Sequence, residues 1–263
     1  MDELSLAREL ADMADEIALR HFSRNVETTL KKDGSIVTVA DREIEKVIRS
    51  RINEAFPHHS ILGEEGGLEG DPESPMWILD PIDGTNNYAS GIPVFGTLIA
   101  FRVGQRVEMG FVSAPALAER YEATRGGGAF MNGERIRVSD IASVSEATVC
   151  FGSYKRMLKR GYGEQVVELL SRCRRDRSFG DFWGHMLVAR GSVEAMAEPN
   201  LNVWDVAACE VIVEEAGGKV TGFGGEPYPE SRVFSRKEGE GSFLSTNGTL
   251  HSQIVEILAK HDE

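Results

Sequence analysis

The chemically loaded positions of this chain are carboxylates that stand where apolar runs end. The densest is Trp77-Ile78-Leu79-Asp80-Pro81-Ile82-Asp83-Gly84-Thr85. An apolar strand pattern runs into Asp80, proline turns the chain, and Asp83-Gly84-Thr85 opens onto a helical pattern. Two carboxylates three residues apart, with Ile82 offering only its backbone carbonyl, make a set of hard oxygen donors. Such donors suit Mg²⁺, which keeps several waters and shares its shell with substrate phosphate. The N–H groups of Gly84 and Thr85 would face an anion at a helix N-terminus, where the dipole also favours it. The same residues fit a plainer role, a turn followed by a helix that Asp83 caps.

Four further acids repeat the placement. Gly63-Glu64-Glu65-Gly66 sets two of them after another strand pattern. Val37-Thr38-Val39-Ala40-Asp41 and Trp204-Asp205-Val206-Ala207-Ala208 each put one at the start of an apolar helix. Taken singly, each reads as a cap or a surface acid.

The elements that must hold these acids follow from apolar periodicity. Helical spacing spans residues 3–23, with Leu4, Ala7, Leu10, Ala14, Ile17 and Ala18 on one stripe, and again residues 40–55, closed by Pro57. Strands are predicted at 59–62, 76–79, 93–103, 107–112, 119–124, 129–131, 148–151 and 241–245. Further helices are predicted at 162–171, 184–190, 205–216 and 250–260. Residues 224–241, rich in Gly, Pro, Glu and Arg, read as a solvated loop. No internal repeat is evident. Helices alternating with strands imply an α/β layered (α+β) fold with strands enough for more than one sheet. A composition shift near residue 140 divides the chain into 1–140, which holds most of the acids above, and 141–263, which holds Asp205, without a linker between them.

Composition narrows the partners. The 263 residues carry 29 basic and 42 acidic side chains, a net charge of −13, with 41% hydrophobic residues. That is too apolar for a disordered chain and too acidic for a protein that grips nucleic-acid phosphates or an anionic membrane. An anionic substrate would need local positive charge, which a metal ion supplies. Cys150, Cys173 and Cys209 are odd in number and lack CxxC spacing, as expected of reduced thiols in a cytoplasmic protein. The acidic start of residues 1–22 argues against a secretory signal, and no apolar run is long enough to span a bilayer.

Taken together, the GEE, DPIDGT and WDxA segments, in this order and spacing, resemble the inositol monophosphatase superfamily of metal-dependent phosphomonoesterases. The resemblance covers nearly the whole chain, including Glu214-Glu215-Ala216-Gly217-Gly218 and Ser245-Thr246-Asn247-Gly248. It implies an α/β/α/β/α sandwich and two or three Mg²⁺ ions. By that resemblance Glu64, Asp80 and the Ile82 carbonyl would hold the first ion. Asp80, Asp83 and Asp205 would hold the second, and a third would lean on Glu64. Asp41 and Thr85 would orient and deprotonate the attacking water for direct in-line displacement, with no phosphoenzyme. Family members are commonly dimers, and a homodimer is expected.

The leaving-group side is similar to the histidinol-phosphatase branch. Glu198, seven residues before Asp205, matches the family acid that contacts the alcohol. Asp181 adds a second acid in Gly180-Asp181-Phe182-Trp183-Gly184-His185. Two carboxylates suit a cationic amino alcohol as well as a polyol; the similarity to the histidinol-phosphatase branch makes L-histidinol phosphate the expected substrate, with Phe182 and Trp183 either core or a platform for its imidazole. The rivals are inositol 1-phosphate, fructose 1,6-bisphosphate and adenosine bisphosphate, together with a retired relative kept as a binding or assembly module. Asn86-Asn87-Tyr88 departs from the family's usual sequence after DGT. His58-His59 is expected to be solvated and His185 to lie in the core. The run Arg172, Arg174, Arg175 and Arg177 is read first as a solvated face. Gly126-Gly127-Gly128 lacks dinucleotide-binding spacing.

Overall fold

A computed structural model of the chain describes residues 2–23, 26–31, 34–227 and 241–259. Helix α1 (Glu3–His21) starts at Asp2, whose Oδ1 accepts from the Ser5 N–H at 2.7 Å. Its apolar stripe from Leu6 to Ala18 is buried. A short hairpin, β1 (Thr28–Leu30) and β2 (Ile36–Thr38), leads into α2 (Val39–Ala55). There Thr38 and Asp41 form a capping box, each side chain satisfying the other's backbone N–H. The chain continues through β3 (Ser60–Gly63), β4 (Gly67–Glu69), β5 (Met76–Asp83) and the single-turn α3 (Thr85–Ala89). It then meanders through β6 (Gly96–Val103), β7 (Arg106–Ala114), β8 (Glu119–Thr124), β9 (Gly128–Met131) and β10 (Glu134–Arg135).

These strands form one eight-stranded sheet in the order β10-β9-β8-β7-β6-β5-β3-β4. Only β3 and β5 run parallel; the other pairs are antiparallel. Period-two alternation serves both faces. Trp77 and Leu79 of β5 pack with α1 and α2, while Met76 and Ile78 face the opposite side.

The second half contains β11 (Thr148–Phe151), α4 (Tyr154–Lys159), α5 (Gly163–Arg172), β12 (Arg175–Arg177), α6 (Asp181–Ala189) and β13 (Ala195–Leu201). It ends with α7 (Val203–Glu215), β14 (Lys219–Thr221), β15 (Gly241–Thr246) and α8 (His251–Leu258). Its sheet has the order β12-β11-β13-β15-β14. Helices α6 and α7 lie between the two sheets: Met186, Val206 and Ile212 share a core with Ile78 and Leu98 on one side and Met196 and Phe243 on the other. That position explains why α7 is apolar all round, with Val206 through Val213 buried. Gly110 of β7 lets it approach, since a Cβ there would stand 2.3 Å from the Ala208 carbonyl oxygen. Val166 and Leu169 of α5 and Ile254 of α8 cover the outer face of the second sheet. The layers are therefore α/β/α/β/α.

Strand β13 escaped the periodicity reading. Its sequence Ala-Met-Ala-Glu-Pro-Asn-Leu has no β-branched residue and contains a proline, which argues against a central strand. The register against β15 shifts between Pro199 and Leu201, and that irregularity accommodates the ring. Helix α6 begins three residues earlier than its apolar run suggested. Of the predicted loop at 224–241, residues 228–240 lie outside the described residues.

Candidate active site

The centre of the site is the end of β5. Pairing with β6 is regular up to Asp80 and then shifts before Asp83, where Pro81 lifts the chain from the ladder. Asp80 is buried. Carboxylate oxygens of Asp80, Asp83 and Asp205 all lie within 4.8 Å of one another, the last delivered by the first turn of α7. The Asn202 N–H donates to Asp205 Oδ2 at 2.6 Å, and the Phe182 N–H donates to Asp83 Oδ2 at 2.6 Å. Asp80 Oδ1 is buried without a hydrogen-bond partner. Burial, then the charge of Glu64 and of the neighbouring aspartates, pushes the Asp80 carboxyl well above its ordinary range. Burial and the charges of Asp181 and Asp205 do the same to Asp83. Burial carries Asp205 up to about 7, against the pull of the Asn202 N–H. Three converging carboxylates, one with an orphaned oxygen, are a donor set that a hard divalent cation fits.

Asp41 sits in the adjoining wall. Its Oδ2 accepts from the Thr38 N–H at 2.8 Å and the Thr38 hydroxyl at 2.6 Å. Its Oδ1 is buried and unpartnered. Burial lifts its pKa to about 7 against those two bonds, with Glu65 and Glu64 adding repulsion. The Thr85 hydroxyl donates to the Ile82 carbonyl at 2.9 Å. Of the two residues paired by resemblance, Asp41 thus has Thr38 and Thr85 has Ile82 as a local partner, with Asp41 Oδ1 left over. Gly84 takes φ +83°, and a Cβ there would meet the Val94 carbonyl at 2.9 Å. It opens α3 without a side-chain cap, so the first-turn N–H groups keep their donors for a ligand.

The Glu64 loop is clamped from α2. Glu45, 3% exposed, accepts from the N–H groups of Glu65 and Gly66 at 2.8 and 2.7 Å and from Arg49 Nε at 2.8 Å. A Cβ on Gly63 or Gly66 would fall 2.4 or 2.7 Å from Glu45 Oε1, so both glycines are the room this carboxylate needs. Lys31 Nζ donates to Glu64 Oε1 at 2.8 Å and to Glu65 Oε1 at 2.5 Å. Those two bonds hold its pKa above the ordinary lysine value although burial opposes the charge.

Beside the acids lies a cleft of about 230 Å³. Glu198, on β13 and 2% exposed, accepts from the Asp181 N–H at 3.2 Å and has Arg156 Nη1 3.8 Å from its Oε1. A Cβ on Gly152 would stand 2.1 Å from the same oxygen. Burial and then the charge of Asp181 raise Glu198 to about 8, while Arg156 pulls the other way. Asp181 holds φ +54°, a left-handed backbone uncommon outside glycine, and its Oδ2 accepts from Asn87 Nδ2 at 3.2 Å. The first two N–H groups of α6 therefore tie the two ends of the site together, Asp181 to Glu198 and Phe182 to Asp83.

Residues 2–263 match the inositol monophosphatase family. The chain belongs to the inositol monophosphatase family. It is a phosphoric monoester hydrolase. A histidinol-phosphatase of Streptomyces coelicolor is 38% identical over 268 residues, covering 98% of this chain and 97% of that one. A fructose-1,6-bisphosphatase/inositol-1-monophosphatase of Thermotoga maritima is also 38% identical, over 262 residues, covering 98% and 96%. A solved Thermotoga maritima IMPase superposes with a TM-score of 0.87 at 35% identity, covering 98% and 97%.

In this inositol monophosphatase family member, Lys31, Glu45, Arg49, Asn87 and Arg156 went unassigned in the sequence reading. For Glu45 the available signal was an acid at i+4 from Asp41 on the stripe that faces the sheet. Phe182 is 1% exposed and belongs to the core between the sheets, and the Trp183 indole N–H donates to Glu119 at 3.1 Å. His58 is exposed, as expected, and His59 is half-buried: it accepts from the Trp77 indole at 3.2 Å and stacks on Phe56. His185 is buried, as expected. The N–H groups of Gly126 and Gly128 each donate to Glu215 at 2.9 Å.

Proposed function

We propose that this phosphatase hydrolyses L-histidinol phosphate to L-histidinol and inorganic phosphate, with Mg²⁺ as its metal. The observation that carries the substrate is the charge of the cleft. Glu198 and Asp181 bring two carboxylates and Arg156 one guanidinium. With both acids ionised, the state that a bound ammonium favours, the cleft is one negative charge in excess; a neutral polyol gains hydrogen bonds to the same oxygens but no charge pairing.

Asp80, Asp83 and Asp205 would hold one ion; Glu64, Asp80 and the Ile82 carbonyl would hold another. When bound, divalent cations supply charge that offsets the phosphate and the departing alkoxide, and they acidify water at the site. The chain's own groups do the rest. First-turn N–H groups of α3, at Gly84 and Thr85, hold phosphate oxygens. Asp41 Oδ1, which has no other partner, accepts the proton of the attacking water. Glu198 and Asp181 orient the amino alcohol, and the leaving oxygen takes up a proton as histidinol departs. All six of Asp41, Glu64, Asp80, Asp83, Thr85 and Asp205 are in place, which weighs against a retired binding module.

The equal identity to the Thermotoga fructose-1,6-bisphosphatase/inositol-1-monophosphatase supports a second reading, hydrolysis of inositol 1-phosphate or fructose 1,6-bisphosphate. Parallel phosphate-release assays on the three esters with Mg²⁺ decide between them. The expected result is the highest kcat/KM for histidinol phosphate, and a higher value for inositol 1-phosphate reverses the choice. A homodimeric, cytoplasmic enzyme completes the reading, and light scattering tests the dimer. Among the described residues no helix is long and apolar enough to cross a membrane.

A further inference from the structure

The leaving-group cleft is lined almost wholly by polar groups and holds charge of both signs: the carboxylates of Glu198 and Asp181 and the guanidinium of Arg156. Arg156 is placed there by its helix. The Ser153 hydroxyl caps α4 by accepting the Arg156 N–H at 3.3 Å, and Met157, the next residue, is buried. The guanidinium itself is loosely claimed. Its side chain is 48% exposed, and among the described residues its one ion pair is with Glu198 at 3.8 Å, too long for a hydrogen bond. Other arginines of the chain are spent, Arg125 on Glu210 and Glu214 and Arg190 on Glu119. Arg156 keeps its fork of donors for a ligand, while the Asn87 amide holds Asp181 in the same cleft. Its charge is also felt there: burial raises the Asp181 and Glu198 carboxyls, and Arg156 draws both back.

An ammonium that pairs with the two acids leaves this guanidinium with nothing of its own to bind. We propose that the site also hydrolyses phosphate monoesters of zwitterionic alcohols, the hydroxy-α-amino acids, with Glu198 and Asp181 taking the ammonium and Arg156 the carboxylate. The inference rests on the reading of this cleft as the leaving-group site and adds a substrate class to it. Guanidinium and carboxylate meet in two parallel charge-assisted hydrogen bonds, a match that neither a polyol nor an amino alcohol can make. Such an ester presents one charge of each sign beside its phosphate, and the cleft presents both in return. In the reaction the water oxygen forms the new bond to phosphorus. The bond from phosphorus to the side-chain oxygen breaks and leaves its electron pair on that oxygen. One water proton passes to Asp41, the departing oxygen takes up a proton, and the products are the free amino acid and inorganic phosphate.

The test pairs O-phospho-L-serine with 2-aminoethyl phosphate, the same ester without the carboxylate. Both are assayed with Mg²⁺ on wild type, Arg156→Gln and Arg156→Lys, beside histidinol phosphate and inositol 1-phosphate. Binding is followed by calorimetry with their non-hydrolysable counterparts, 2-amino-4-phosphonobutyrate and 3-aminopropylphosphonate. Wild type should favour phosphoserine over 2-aminoethyl phosphate by roughly 5- to 10-fold in kcat/KM, carried by KM rather than kcat; the half exposure of Arg156 keeps the factor modest. Arg156→Gln should erase that preference and the matching preference between the two phosphonates, and Arg156→Lys should keep part of both. A wild type that treats the two esters alike or prefers 2-aminoethyl phosphate, or a preference that survives in Arg156→Gln, overturns the inference. Failure of the histidinol phosphate reading shows separately, as a wild-type enzyme that prefers inositol 1-phosphate to histidinol phosphate.

Discussion

Replacing Asp41 with Asn should make the metal-free protein more stable while it abolishes turnover. Asp41 is fully buried and its Oδ1 has no partner. Burial first, with Glu65 and Glu64 adding to it, carries the pKa from the ordinary 3.8 to about 7 against two bonds from Thr38. At 1.36 kcal/mol for each tenfold change in proton affinity, the ionised group costs the folded state roughly 4 kcal/mol. The folded protein holds this proton more tightly than the unfolded chain. Unfolding therefore releases it between about pH 4 and pH 7, and stability falls as pH rises through that window. Below it both states are protonated and the cost is absent; above it the cost is complete. An amide keeps the volume, keeps an acceptor for Thr38 and carries no charge at any pH. A protein of this size melts roughly 2–4 °C higher for each added kcal/mol, so the variant should melt about 8–16 °C above wild type at pH 8 in EDTA. The two should converge near pH 4. Calorimetry across that range is the assay, with phosphate release run beside it, where losing the base should cost about 10²–10⁴-fold. A variant no more stable than wild type at pH 8, or one whose melting temperature follows the wild-type pH dependence, would refute the reasoning.

Three other expectations are open to measurement. Saturating Mg²⁺ should raise the wild-type melting temperature at pH 8 by relieving repulsion among the aspartates, and Asp80→Asn should lose both that rise and the calorimetric binding signal. Glu45→Ala strands the Glu65 and Gly66 N–H groups, while Arg49 keeps Gly67 and Glu69 as partners, at a cost of about 1–3 kcal/mol for each stranded N–H in urea unfolding. It should also weaken Mg²⁺ binding by roughly 10- to 100-fold, and unaltered metal affinity would detach the clamp from the site. Gly110→Ala drives a Cβ against the Ala208 carbonyl and should lower stability by about 1–3 kcal/mol or more, with little change in KM if the site keeps its geometry.

Much of the scaffold was legible because it obeys one period at a time. The α1 stripe reports a single buried face and was found within two residues, whereas β5, buried on both faces, was read as the apolar run 76–79 and extends to Asp83. Helix α7 was visible as an apolar run whose sandwiching could not be read from the run itself. Strand β13 was hidden because small side chains and Pro199 are tolerated only by virtue of the neighbours that flank it. The acids of the site were visible because carboxylates at strand ends and helix starts are locally conspicuous. Their clamps were not, since Glu45 reaches Glu65 and Gly66 across twenty residues of chain.

The place of α7 between the sheets also sets an order on synthesis. The eight-stranded sheet is complete at Arg135, yet the helix that covers its second face runs from Val203 to Glu215. On a ribosome adding about 5–20 residues per second, Leu98, Ala100, Val112 and Ala123 wait roughly 4–16 s for that cover. Nascent chains halted in this interval should be gripped by chaperones that bind apolar strands, and should be let go as α7 emerges. Asp205 arrives on the same segment, so a chain that has all its carboxylates to hold metal has also received the helix that closes its core.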